Sequence, residues 1–252
     1  MIYAKKHQNK KISFIIPVFN QEKNIKKNIV RLTSKLKKIN YEIIIVNDGS
    51  NDKTFNEIVT LQNKIKNIKL INNKNNKGKG YSIRRAVQSI DPKSNKIIMI
   101  DGDLPYFGYL NTMINTLLNN NLVIIDRKHS CSKLIIKKLS LYILMRITVG
   151  HCLNFIARSF GLIDIKDTQA GLKGFDAKFK YIFNIIKTNG FLYDLEMMTI
   201  FKNKKIYPVL IPCKYSVSSR SSIFFRPKFV LNILFDFLLI INLHFRGKYK
   251  IK

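Results

Sequence analysis

Short runs rich in Ile and Val recur through the first half of this chain, and each is followed by a polar segment whose apolar residues return every three or four positions. The run Ile12–Val18 precedes a segment, 21–38, in which Ile25, Ile29, Leu32 and Leu36 mark one helical face. The pattern returns at Glu42–Asn47 with a helical stretch after Asp52, at Ile68–Ile71 with a helix from Gly80, at Lys96–Ile100, and again at Leu122–Ile125. Consecutive parallel strands need a crossover, usually a helix, so this alternation predicts an α/β fold: a Rossmann-like, mostly parallel sheet flanked by helices. The runs are continuously apolar rather than alternating, which suits strands covered on both faces.

The regularity stops after Ile125. A basic, apolar stretch from Lys133 to Phe160 has too few residues between charges for the roughly 20 that a spanning helix needs. The run Phe229–Phe245 is the one plausible membrane segment, but Lys228, Asn232, Asp236, Asn242 and Arg246 fall in one sector of the helical wheel. That polar stripe predicts a helix lying in a membrane interface, with Arg246, Lys248, Lys250 and Lys252 beside anionic headgroups. The expected division is a catalytic domain over 1–225 and a basic amphipathic helix and tail over 226–252.

Lys and Arg outnumber Asp and Glu by 45 to 15, a net charge of +30. Such an excess suits nucleic acid, an anionic membrane or phosphorylated substrates. Lysines outnumber arginines 36 to 9 and accompany 26 asparagines, a bias that AT-rich coding produces without any ligand. The basic residues are spread along the chain without a nucleic-acid-binding motif, so no nucleic-acid partner is expected. Three scattered cysteines, Cys131, Cys152 and Cys213, form no CxxC pair and fit a reducing compartment. Residues 5–18 pass from lysines directly into a strand-like run, unlike a secretory leader.

Polar residues gather just after the predicted strands: Asn20–Glu22, Asp48–Asp52, Asn76–Gly80 and Asp101–Asp103. In an open parallel sheet these loops share one crevice. The Asp101-Gly102-Asp103 tripeptide offers oxygen ligands to Mg²⁺ or Mn²⁺, although alone it reads more simply as an ordinary Asp-Gly turn. Asn76-Lys77-Gly78-Lys79-Gly80 precedes a helix carrying Arg84 and Arg85, but it lacks the P-loop pattern. His129 and His151 form no ligand pair, and Arg220 and Arg226 read most simply as solvated charge.

Taken in order, IPVFNQEKNI (16–25), VNDGSNDKT (46–54), NKGKGYSIRRA (76–86), IDGDLPY (100–106) and DTQAGLKGF (167–175) resemble family 2 glycosyltransferases of the GT-A fold. The last motif, with GFLYDLEMM (190–198), is most similar to the polyprenyl-phosphate branch, which includes the dolichyl-phosphate glucosyltransferases and mannosyltransferases. The resemblance implies that Pro17, Phe19, Glu22, Asp48, Lys79 and Asp101 line the nucleotide-sugar side, with Asn47 replacing an aspartate many relatives carry. It implies that Asp101 and Asp103 hold the metal, and that Arg127, Gln169 and Lys173 face the acceptor phosphate. Asp103, Arg127 and Asp167 are the catalytic candidates.

The implied activity is a metal-dependent, inverting transfer of a hexose, glucose from UDP-glucose by preference, to a polyprenyl phosphate at the cytoplasmic face of a membrane. A lipid phosphate is already anionic and needs cations such as Arg127, Lys173 and Arg158 to approach the donor. A glycan hydroxyl, the alternative acceptor, needs a carboxylate base, for which Asp167, Asp194 and Glu196 are the candidates.

Overall fold

The computed structural model describes residues 10–135, 141–216 and 227–249. Arg220, Arg226, Lys250 and Lys252, and the side chain of Lys228, lie outside the described residues. The chain begins with the expected alternation: β1 (Lys11–Val18), α1 (Ile25–Leu36), β2 (Tyr41–Asp48), α2 (Thr54–Lys64), β3 (Ile68–Asn73), α3 (Lys79–Gln88) and β4 (Ser94–Ile100). There follow α4 (Leu110–Asn119), β5 (Leu122–Asp126), β6 (Lys133–Ile135), α5 (Leu141–Ser159) and β7 (Leu172–Asp176). A 3-10 segment (Ala177–Asn184), α6 (Tyr193–Asn203), β8 (Val209–Pro212), β9 (Lys214–Ser216) and α7 (Pro227–Phe245) complete the described chain.

Seven strands form the central sheet in the order β3-β2-β1-β4-β7-β5-β8, and β6 pairs with β9 beside it. Successive residues of each inner strand face opposite sides. Ile15, Ile44, Val46, Ile97 and Met99 enter one core with α3, α6 and α7. Phe14, Ile16, Ile43, Ile45, Ile98 and Ile100 enter the other with α1, α2 and α4. This two-sided burial is why the strand sequences carry no polar alternation. On α1 the residues read as one face, Ile25, Ile29, Leu32 and Leu36, are all fully buried.

One strand departs from the expected parallel order. β7 lies antiparallel between β4 and β5, with Lys173 opposite both Met99 and Ile124. Its sequence, LKGFD, contains no apolar run. Lys173 points into the site crevice region, and a Cβ at Gly174 would stand 2.5 Å from Leu117 Cδ2, so α4 packs directly on the strand backbone there. The remaining pairs, β1 with β2 and β4, β2 with β3, and β5 with β8, are parallel.

The chain passes from β1 outward to β2 and β3, then returns to add β4 on the other side of β1. That reversal opens a crevice at the carboxyl ends of β1 and β4. The loops after β1, β2, β3 and β4 meet there.

Candidate active site

On the β2 side of the crevice Asp48 is 4% exposed and organises the glycine turn. Its Oδ1 accepts from Asn73 Nδ2 (2.7 Å) and Lys77 N (3.0 Å), and its Oδ2 from Gly78 N (2.8 Å). Asn47 stays on its own layer, donating to Asn72 Oδ1 at 2.7 Å. Glu22 ties the first two loops together by accepting from Lys53 N at 3.0 Å. Phe19 is 39% exposed at the rim.

The centre of the crevice holds two lysines and two carboxylates. Lys79 Nζ lies 2.6 Å from Asp101 Oδ1 and 4.0 Å from Asp194 Oδ2. Lys173 Nζ lies 2.7 Å from Asp194 Oδ1, with both side chains 2% exposed. Pro17, Gly171 and Tyr193 complete the lining. Burial alone would lower both lysine pKa values. Asp101 and Asp194 outweigh it at Lys79, whose pKa is raised, whereas burial and the neighbouring Lys79 leave Lys173 lowered. Burial, with Asp194 and Asp101 adding to it, pushes the Tyr193 phenol far up.

Lys173 therefore belongs with Lys79, Asp101 and Asp194 at the floor of the crevice, while Arg127 pairs elsewhere. The antiparallel insertion of β7 beside β4 brings Lys173 to the Asp101 side of the crevice.

Asp103 projects at the exposed edge of the crevice, where the enclosing walls and the charge of Asp101 hold its carboxyl above the ordinary range. Among the described residues no three His, Cys, Asp or Glu side chains cluster to cage a metal. Asp101 and Asp103 fit a hard cation that takes one or two protein carboxylates and completes its shell with water and substrate oxygens. Asp101 Oδ2 sits where a Cβ at Gly171 would stand, 2.2 Å away, so only glycine leaves room for that carboxylate. Asp101 is engaged by Lys79, whereas Asp103 is exposed.

Across the sheet, at the end of β5, Asp167 grips Arg127. It accepts from Arg127 N (3.0 Å), Nε (2.7 Å) and Nη2 (2.6 Å), and from Gln169 N at 3.1 Å. Burial pushes the Asp167 carboxyl up, but the guanidinium and the backbone donors outweigh it and hold it below the usual range. The same pairing raises Arg127 against the lowering effect of burial. Lys128 stands beside this pair. Burial lowers its pKa, with Arg127 and Arg158 adding repulsion, and its charge also reaches His151 on α5. Lys128 escaped the sequence reading because nothing in IIDRK separates it from other surface lysines.

The other two carboxylates considered as bases differ in place: Asp194 lies in the crevice beside Lys79 and Lys173, and Glu196 lies in the core behind it. Asp194 neutralises Lys173, and Glu196, fully buried, accepts from Lys187 N, Thr188 N, Thr188 Oγ1 and Tyr249 Oη. Arg84 and Arg85 hold the 188–189 loop and the 72–73 strand end, respectively.

Residues 13–178 match the model of the family described as Glycosyl transferase family 2. The chain belongs to that family. It is 28% identical over 211 residues to a dolichyl-phosphate beta-glucosyltransferase of Trichomonas vaginalis, covering 77% of this chain and 62% of that protein. A dolichol-phosphate mannosyltransferase of Pyrococcus furiosus is 22% identical over 225 residues, 89% of this chain and 62% of the relative. The chain thus spans about three fifths of the length of these curated relatives. Among solved structures, glucosyl-3-phosphoglycerate synthase from Mycobacterium tuberculosis, in complex with Mn²⁺, UDP and phosphoglyceric acid, superposes with a TM-score of 0.66. That likeness covers 95% of this chain and 81% of the other at 14% identity, so it establishes a shared fold. The family 2 match ties together the four β1–β4 loops and β7, all within its bounds.

Proposed function

We propose that this family 2 chain transfers a hexose, glucose from UDP-glucose first, from a nucleotide sugar to a polyprenyl phosphate, with inversion, at the cytoplasmic face of a membrane. The observation that carries the reading is the Arg127–Asp167 pair. Its carboxylate is spent on orienting the guanidinium and is held below the usual pKa range, which makes it a poor proton acceptor. The acceptor side then offers cations, Arg127 with Lys128 and Arg158 nearby, and suits a nucleophile that is anionic already. Asp194 and Glu196, both buried and engaged, leave a hydroxyl acceptor without a base among the carboxylates considered for it.

On the donor side, Asp48 and the 77–80 turn would hold the nucleotide, and Lys79 would face its phosphates. Asp103, with Asp101, would hold Mg²⁺ or Mn²⁺, which supplies charge neutralisation for the leaving diphosphate. The dolichyl-phosphate names of the curated relatives support the lipid acceptor, and the Mn²⁺ and UDP bound in the solved structure support a metal and a nucleotide on the donor side.

The test is transfer of radiolabelled sugar from UDP- and GDP-hexoses into organic-extractable lipid, with added polyprenyl phosphate and Mg²⁺ or Mn²⁺. Label in an acid-labile lipid from one donor, lost with EDTA, is the expected result. Metal-dependent donor hydrolysis without lipid label would reject the lipid acceptor and turn the search to glycan hydroxyls.

A further inference from the structure

A continuous set of hydrogen bonds runs from the C-terminal end of the described chain into the crevice. Tyr249, 1% exposed, donates its hydroxyl to Glu196 Oε1 at 2.9 Å. Glu196 in turn accepts from Lys187 N (2.9 Å), Thr188 N (2.8 Å) and Thr188 Oγ1 (2.7 Å). These bonds fix the loop that leads into α6, and the next residue of that loop, Asn189, presents its carbonyl to the start of α3. Asn189 O accepts from Gly80 N (2.8 Å) and Tyr81 N (3.2 Å), two first-turn amides that have no acceptor within their own helix. Arg84, from the same helix, reaches back to Thr188 O at 2.6 Å.

The contact between the two loops leaves no slack. Gly78 has φ +96°, and a Cβ there would stand 2.4 Å from Asn189 O. Between Gly78 and Gly80 sits Lys79, whose backbone is thus held from two directions: by Asp48 through the amides of residues 77 and 78, and by Asn189 through those of 80 and 81. Glycines on both sides would otherwise give this residue wide freedom. Helix α7 adds to the clamp, because Phe229 meets Phe191 edge-on at 6.2 Å.

We propose that Glu196 and Tyr249 are positioning residues for Lys79: the carboxylate, secured by the C-terminal tyrosine, holds the 187–189 loop so that Asn189 caps α3 and aims the Lys79 ammonium at Asp101. The inference rests on the donor-side role proposed for Lys79, but the linkage itself is readable without substrate. It also explains why a buried carboxylate with no cation in hydrogen-bond contact among the described residues persists in the core, since burying one is costly unless donors surround it.

The experiment uses the full chain with Tyr249→Phe, which removes one oxygen, and Glu196→Gln. Amide exchange is followed in peptides covering 185–190, 77–82 and, as a control, β4, together with the acylation rate of Lys79 read by mass spectrometry. Tyr249→Phe is expected to speed exchange in both loop peptides about tenfold, as for loss of one hydrogen bond from the closed state. It should also raise Lys79 labelling while leaving β4 unchanged. Exchange that rises only in 185–190, or equally in β4, with Lys79 labelling unaltered, would overturn the proposal and leave Tyr249 a simple packing residue. Should Glu196→Gln fail to fold, the tyrosine variant still decides. A failure to find sugar transfer with any donor would reject the proposed function and leave this linkage standing.

Discussion

The ammonium of Lys79 stands 2.6 Å from Oδ1 of Asp101, so the first carboxylate of the Asp-Gly-Asp turn is already neutralised by the glycine turn across the crevice. One cation at that point keeps Asp101 and Asp194 compatible at close quarters, and under the proposed function it would offer charge to an incoming diphosphate. Lys79→Met removes both. The expected outcome is a donor KM raised about tenfold to a hundredfold with a smaller change in kcat, the loss of a charge-assisted contact. Lys79→Arg should recover part of the loss. Steady-state kinetics over donor concentration checks the split; an unchanged KM would remove Lys79 from the donor site.

Asp103 is expected to govern the response to metal. Asp103→Asn should cut transfer about a hundredfold or more, comparable to chelation with EDTA, because a cation that neutralises the leaving diphosphate contributes several kcal/mol. Titration of Mn²⁺ into the protein with UDP, followed by calorimetry, distinguishes lost metal from lost folding. Equal Mn²⁺ affinity in the variant would dismiss Asp103 as a ligand.

The Arg127–Asp167 pair makes a prediction about pH. Asp167 has its pKa depressed in the folded state, so it adds stability that is complete above its unfolded value of about 3.9 and fades as pH falls through the folded value. Arg127, raised above its ordinary value, stays charged throughout. Asp167→Asn should therefore cost about 3 kcal/mol in urea unfolding, typical of breaking a buried pair. That cost should be constant from about pH 5 to 8 and shrink below about pH 4. A cost that instead grew on acidification would contradict the assignment.

What the sequence made legible follows from which residues do one job. Ile15, Ile44 and Ile98 serve packing alone, so the strands around the crevice are written as apolar runs and their loops align as expected. β7 serves two purposes: Lys173 belongs to the site and Gly174 yields to α4, which leaves no periodic pattern to read. Lys128 and the Glu196–Tyr249 contact depend on residues distant in the chain, and no local spacing encodes them. Asp194 and Glu196 look alike in sequence, two residues apart, yet one answers a lysine and the other a loop.

Gly174→Ala tests the packing reading of β7. The added methyl meets Leu117 Cδ2 at 2.5 Å, Ile97 O at 3.3 Å and Ile98 Cγ1 at 3.3 Å, so α4 or the strand must shift. Overpacking of this kind costs about 1–3 kcal/mol. Denaturant unfolding should show the loss, and the double variant with Leu117→Ala should recover much of it. No recovery would mean that the backbone contact with Ile97, rather than the leucine, sets the cost.

The C-terminal helix carries the last prediction. Of its polar stripe, Asn232, Asn242 and Arg246 are exposed, whereas Asp236 is half-buried toward Glu196, and burial raises its pKa. The outward surface also carries large apolar side chains: Leu231 is 53% exposed, Leu234 49%, Phe235 68% and Leu238 62%. On α5, Phe155 is 64% exposed, and Phe160, just after that helix, meets Phe245 of α7 edge-on at 6.3 Å. Contiguous exposed apolar surface of this kind marks a contact site. No helix among the described residues is long and apolar enough to cross a membrane. Under the proposed function, docking of this surface on a bilayer would place Leu and Phe side chains at the acyl boundary, with Arg246 and Lys248 near headgroups at about 1 kcal/mol each. Flotation with vesicles should show binding that weakens with salt on anionic lipid. The variant Leu234→Ser, Phe235→Ser, Leu238→Ser should lose at least about a hundredfold in partition, since each side chain forfeits about 1.5–3 kcal/mol of apolar burial. Unaltered flotation of that variant would exclude α7 as the membrane contact, whereas loss of binding with soluble-donor hydrolysis intact would separate docking from catalysis.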